Sequence, residues 1–266
     1  MVQLVKILSF LFVLALFSCG VGKVKSDSQP INHAIFDSLL QKHVSEDGFV
    51  DYKGFIRDSV QMNEYLTLLK NNHPNKKNWS KDEQLAYWIN AYNAFTVKLI
   101  MNHYPVESIK DIKSGIGFIN SVWDIKFFKI EGQEYDLNNI EHSIIRKQFN
   151  EPRIHFAVNC ASYSCPRLRN EAYTAEKLEA QLDDQARTFF NDERKNKIVS
   201  EDQIVLSSLL KWYSTDFTNK GIFSRLFGGS GRSKKLIEFV NPYVETTISK
   251  DAEVTFMEYS WALNEK

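Results

Sequence analysis

The sequence lacks an excess of charge of either sign: 33 Lys and Arg face 33 Asp and Glu across 266 residues. No long-range field would therefore draw it to nucleic acid or to an anionic membrane surface. It lacks an apolar run of spanning length near its start, because Ile7 to Leu16 falls well short of the roughly 20 residues a bilayer-crossing helix needs. An internal repeat is also missing, which excludes solenoid and propeller architectures. Cysteine is scarce, with three in the chain, Cys19, Cys160 and Cys165. The absence of a second close cysteine pair argues against a structural zinc cluster.

What is there supports a real core. Hydrophobic residues make up 43% and aromatic residues 13% of the chain, enough for one domain or two small ones. Lys6, the short apolar run and Ser18-Cys19 read as a leader, and they resemble a bacterial lipobox, with Phe17 an unusual occupant of its position. A plain signal peptide with a chance cysteine is the alternative. The expected organisation is a lipoprotein signal peptide over residues 1–19, a tether over 20–33 and a single domain over 34–266. The protein is expected to be exported and anchored to a bacterial envelope membrane through lipid at Cys19.

Apolar spacing predicts a helix over 36–44 and another over 59–71, with Met62, Tyr65, Leu66 and Leu69 on one face. Ser80 and Glu83 form a capping-box pattern. The helix they open, through Met101, is apolar nearly all round and should be buried. Asn90 and Asn93 then lie side by side in the interior, where their amides must find partners, most simply in neighbouring backbone. Hairpins are expected at 126–137 and 197–206. Asp136 should cap a helix from Leu137 to about Phe149, and Thr174 one from Ala175 to about Asn191. Gly228 to Gly231, with Arg232, Lys234 and Lys235, reads as a solvated loop whose spacing matches no phosphate cradle. Residues 254–263 alternate like a strand that closes a sheet. Strands arriving as hairpins, without alternation with helices, predict an α+β fold: a small antiparallel sheet wrapped by helices.

The chemistry concentrates between Arg153 and Leu168. Ile154, Phe156 and Val158 alternate with His155, Ala157 and Asn159, a strand-like period, before a small polar loop carries Cys160 and Cys165-Pro166. A thiol and an imidazole at the end of one buried segment are the parts of a nucleophile–base pair. They are equally the parts of a disulfide, which export permits, or, with His142, of a zinc site. His155 could also be a core histidine bonded to backbone, and Glu141 could pair with a neighbouring cation.

Several segments together resemble a known family. Asp47 to Tyr52, Trp88 to Ala94, Ile140-Glu141-His142 with Arg146, His155 to Pro166, Tyr173-Thr174 and Trp261 to Asn264 are similar, in order, to motifs of the domain-of-unknown-function family 547. The resemblance implies helices around a four-stranded antiparallel sheet, with a papain-like or transglutaminase-like core. It implies a Glu–His–Cys triad of Glu141, His155 and either Cys160 or Cys165, with Cys160 favoured. The expected activity is a cysteine-dependent hydrolase or acyl transferase acting on an amide bond of a peptide or glycopeptide, without a cofactor. A non-catalytic envelope module binding a peptide or glycan, and a zinc protein using Cys160, Cys165 and His155, are the alternatives.

Overall fold

The computed structural model describes residues 26–113, 121–218 and 230–266. The expected leader and residues 20–25 of the expected tether, and Gly228 and Gly229 of the glycine-rich loop, lie outside the described residues; Ser230 onward belongs to a helix.

Local signals explain the first half. Helices α1 (Ala34–His43), α2 (Tyr52–Arg57) and α3 (Ser59–Asn71) pack as a layer on α4 (Lys81–His103). The Ser80 hydroxyl accepts from the Glu83 N–H and the Glu83 carboxylate accepts from the Ser80 N–H, so two orphan donors of the α4 terminus are satisfied reciprocally. Beyond its first turn α4 buries nearly every side chain to Ile100, as its all-round apolar character requires. Burying each large apolar side chain contributes about 1.5–3 kcal/mol.

One close approach ties this layer to the cysteine segment. Gly48 has a φ of +82°, and a Cβ there would collide with the Cβ of Arg167 and come within 2.9 Å of the Leu168 nitrogen. Glycine is required on both counts.

The strands correct the single four-stranded antiparallel sheet. Strands β1 (Phe128–Ile130) and β2 (Gln133–Tyr135) form an isolated antiparallel hairpin. Strands β3 (Lys197–Ser200), β4 (Gln203–Leu206) and β5 (Glu253–Phe256) form a separate mixed sheet in the order β3-β4-β5. Here β5 runs parallel to β4, with Ile204 opposite Val254. The chain after β4 passes through α8 (Ser208–Trp212), α9 (Ser214–Phe217) and α10 (Ser230–Val240) before returning, which is the long connection a parallel pair demands. The expected 254–263 strand stops at Phe256. Its remainder threads past the cysteine loop, where the Tyr163 N–H donates to the Ala262 carbonyl (2.7 Å) and the Asn264 N–H to that of Ala161 (3.3 Å).

Two more expectations change. Residues 154–158 are not a strand: α6 (Ile154–Ala157) is a single helical turn, begun by bonds from Ile154 and His155 back to Glu151 and Pro152. The segment runs between two hydrophobic clusters, with Phe156 in the one built on α7 (Leu178–Phe190) and the mixed sheet and Ile154, Ala157 and Val158 in the one built on α4. All four α6 side chains are buried, so alternation of residue type carries no information about exposure. The helix expected from Ala175 begins later, as α7 (Leu178–Phe190), after a turn in which the Lys177 N–H donates to the Thr174 carbonyl at 3.2 Å and the Thr174 N–H to Gln181 Oε1 at 3.1 Å. Asp136 does accept from the Asn139 N–H (2.6 Å), but the helix it opens is π-helical over Asn139–Ile145 before the short α5 (Arg146–Gln148).

Candidate active site

A chain of side-chain amides holds the cysteine loop. Asn93 of α4 donates to the Ala157 carbonyl (2.9 Å) and accepts from the Asn159 N–H (2.8 Å). Asn159 donates to the Pro166 carbonyl (2.7 Å), and its Oδ1 accepts from the Ala161 N–H (2.9 Å) and from Asn264 (3.3 Å). Asn264 in turn accepts from the buried Tyr52 hydroxyl at 2.7 Å. Asn90 clamps Tyr173 through both its N–H and its carbonyl. The interior asparagines thus bond to backbone, as their position required, and the backbone that Asn93 fixes leads into the loop that carries Cys160. Ala161 is held at a φ of +59°, a conformation costing a non-glycine residue about 1–3 kcal/mol that persists when its surroundings over-determine it.

Cys160 is half-buried and Cys165 is buried behind it, and both are free thiols. Their sulfurs lie 3.0 Å apart, and the Cys160 N–H points at the Cys165 sulfur at 3.0 Å. The Cys160 sulfur also meets the Ser162 hydroxyl (3.2 Å) and the Tyr259 hydroxyl (3.4 Å). Hydrogen bonding from the Cys165 thiol, helped by Ser162 and Tyr259, outweighs burial and brings Cys160 down to about 7. Burial pushes Cys165 well above the ordinary thiol range. Cys160 is therefore the group that becomes a thiolate near neutrality.

His155 is 1% exposed. Its Nε2 donates to Asp216 Oδ2 at 2.9 Å, and its ring stacks on Tyr213 with centroids 4.1 Å apart. Asp216 also accepts from Arg146 Nε at 2.6 Å. Burial lowers the His155 pKa, with the Asp216 hydrogen bond opposing it, so the imidazole is neutral at pH 7 and can take up a proton. Burial works against the Asp216 carboxylate too, but its bonds from His155 and Arg146 win and hold it far below the usual carboxylate range.

Glu141 is buried on the π-helical segment, 3.9 Å from His142 Nδ1; burial raises the Tyr213 phenol pKa and the Glu141 charge adds to it. His142 Nδ1 accepts from Arg146 at 2.9 Å. A cleft of about 230 Å³ is lined by Glu141, His142, His155, Cys160 and Cys165, with Tyr92, Tyr213, Trp212, Tyr259 and Trp261 among its walls. All four candidates, Cys160, Cys165, His155 and Glu141, reach this one cleft. The carboxylate hydrogen-bonded to His155 is, however, Asp216, 61 residues further along. Asp216, Tyr259 and Ser162 escaped sequence reasoning. A signal for Asp216 existed: three residues after Tyr213 and one before Phe217, it sits on the apolar side of a short helix, where a carboxylate needs a donor. Among the described residues no group of three or more His, Cys, Asp or Glu is arranged to hold a metal ion, so the expected alternative of zinc on Cys160, Cys165 and His155 is not met by the geometry.

The fold and site define a mixed α+β protein in which a thiol, a neutral imidazole and one buried carboxylate, Glu141, line an aromatic cleft, with Asp216 bonded to the imidazole. Residues 76–190 match the family model described as a protein of unknown function, DUF547, which supports that family for this chain. No curated protein and no solved structure matches it. The matched stretch carries Asn90, Asn93, Glu141, His155, Cys160 and Cys165, and it ends before Asp216 and Tyr259.

Proposed function

We propose that the protein is a cysteine-dependent hydrolase or acyl transferase acting on an amide bond. Cys160 is the nucleophile and His155 the general base. Asp216 holds the imidazole with Nε2 protonated, which leaves Nδ1 to receive the thiol proton. Glu141 stands in the same cleft as a second acid whose charge acts on the reacting groups. One observation carries the reading: a sulfur tuned to about 7 shares a cleft with a neutral, carboxylate-bonded imidazole. In this scheme thiolate attack on the carbonyl forms an acyl-enzyme and expels the amine with the proton taken from Cys160, and water or a second amine then releases the acyl group.

The papain-like or transglutaminase-like likeness enters the proposal as chemistry, supported by the thiol–imidazole–carboxylate constellation rather than by strand order. The substrate is a peptide or glycopeptide, and export with lipid anchoring at Cys19 would place the cleft in the cell envelope. A second reading, a non-catalytic binding module, is favoured by one feature: Trp212 is 51% exposed and stacks at 15° on Trp261 beside the cleft. A thiol-directed electrophile separates the two. The enzyme reading expects Cys160 to label faster at pH 7 than a free thiol, Cys160→Ser to abolish that labelling, and His155→Ala to slow it on the order of tenfold or more. Labelling at the rate of an ordinary thiol, unaffected by His155→Ala, would leave the binding module.

A further inference from the structure

In the hydrolase reading Cys165 serves only as a hydrogen-bond partner of Cys160, yet its placement is specific. Its sulfur lies 3.0 Å from that of Cys160; both line the cleft, but Cys165 is 5% exposed whereas Cys160 is only half-buried. The two are not adjacent by accident of a flexible loop. Asn159 binds the Pro166 carbonyl and the Ala161 N–H together, so one side chain ties the two ends of the loop. The Cys165 N–H closes onto the Ser162 carbonyl at 3.0 Å. The sulfurs need approach by only about 1 Å to reach bonding distance. Beneath the loop the buried Lys195 ammonium is bonded to the Tyr163 carbonyl. Burial lowers its pKa from the ordinary lysine range, and its charge couples electrostatically to both sulfurs.

We infer that Cys160 is a reversible oxidation site for hydroperoxides and that Cys165 resolves it as an intramolecular disulfide, sparing the cleft thiol from irreversible oxidation. In the first step the Cys160 thiolate attacks one peroxide oxygen and the O–O bond breaks. The remaining oxygen leaves as water or an alcohol, with sulfur oxidised to sulfenic acid and peroxide reduced. In the second, the Cys165 sulfur attacks the Cys160 sulfur and the S–O bond breaks. The departing hydroxide leaves as water with the proton of Cys165. Two thiols and one hydroperoxide thus give one disulfide, one water or alcohol and one further water. A dithiol reductant reverses it by exchange, taking the two electrons back to the protein thiols. The division of labour follows from access: peroxide meets Cys160 in the cleft, and the buried neighbour is protected until a sulfenic acid forms against it.

The test uses the full chain, reduced, freed of reductant and titrated with hydrogen peroxide. The readout is peptide mass without reduction, since one tryptic peptide, Ile154 to Arg167, carries both cysteines. The expected product is that peptide lighter by two hydrogen atoms, with electrophile labelling of Cys160 lost on the order of tenfold and restored by dithiothreitol. In Cys165→Ser, Cys160 should instead be trapped by dimedone and pass to sulfinic acid that dithiothreitol does not reverse. Should that variant not fold, the wild-type peptide decides alone. A peptide gaining oxygen at Cys160 without losing hydrogen overturns the inference. The readout involves no turnover: His155→Ala should still form the disulfide, so a failed hydrolase reading and a failed resolving thiol give different results.

Discussion

Replacing Asp216 with Asn keeps its shape and removes its charge. The change strips the carboxylate from two donors at once, His155 at 2.9 Å and Arg146 at 2.6 Å. Removing one partner of a buried pair costs about 3–5 kcal/mol. Arg146 keeps about a quarter of its side chain in solvent, 24% exposed, so the lower end applies, about 3 kcal/mol. For a chain of this size that corresponds to a fall of about 6–12 °C in melting temperature. The pH dependence has a definite sign. The folded carboxyl titrates far below its ordinary value of about 3.9. Its contribution is therefore complete above about pH 4 and fades as the pH falls below that, because the unfolded chain takes up the proton first. Denaturant melts at pH 7 and at pH 3 should therefore show the gap between variant and wild type widest at pH 7 and narrower, but still open, at pH 3, because the folded carboxyl keeps its charge there. The same variant loses the bond that fixes the His155 tautomer, so electrophile labelling of Cys160 at pH 7 should slow. Equal melting temperatures together with an unchanged labelling rate would refute both the pairing and its role.

Two further outcomes follow from the same contacts. Asn93→Ala orphans the buried Ala157 carbonyl and Asn159 N–H, at about 1–3 kcal/mol for each; urea melts should show a loss of about 3–4 kcal/mol, and a loss under about 1 kcal/mol would mean that the loop is held elsewhere. His33 is buried with its Nδ1 2.7 Å from the Tyr65 hydroxyl, and burial lowers it from 6.5 to about 4. Stability from the neutral imidazole is present above pH 6.5 and lost as the pH falls towards 4, about 3 kcal/mol in all. His33→Gln should flatten that part of the stability–pH curve, and a decline identical to wild type would exclude His33 as its source.

Much of this protein follows from interactions between residues close in sequence. The bounds of α3, the reciprocal Ser80–Glu83 cap, both hairpins and the Asp136 turn are decided within a few residues, where capping, periodicity and turn chemistry compete on equal terms with packing. The interior position of Asn90 and Asn93 was legible for the same reason: α4 has no polar face on which to put them. The gathering of Cys160 and Cys165 is local too, five residues apart in one polar loop.

Tertiary structure decided the rest. Whether Ile154 to Ala157 would be strand or helical turn depended on two hydrophobic clusters pressing from both sides, and burial on every side erases the pattern from which a period is read. The parallel pairing of β4 with β5 joins residues 50 apart, a contact set by the packing of everything between them. The acid that holds His155 came from a short helix with no motif, because a carboxylate is recruited by the donors it meets in space, and no spacing rule reaches across 61 residues.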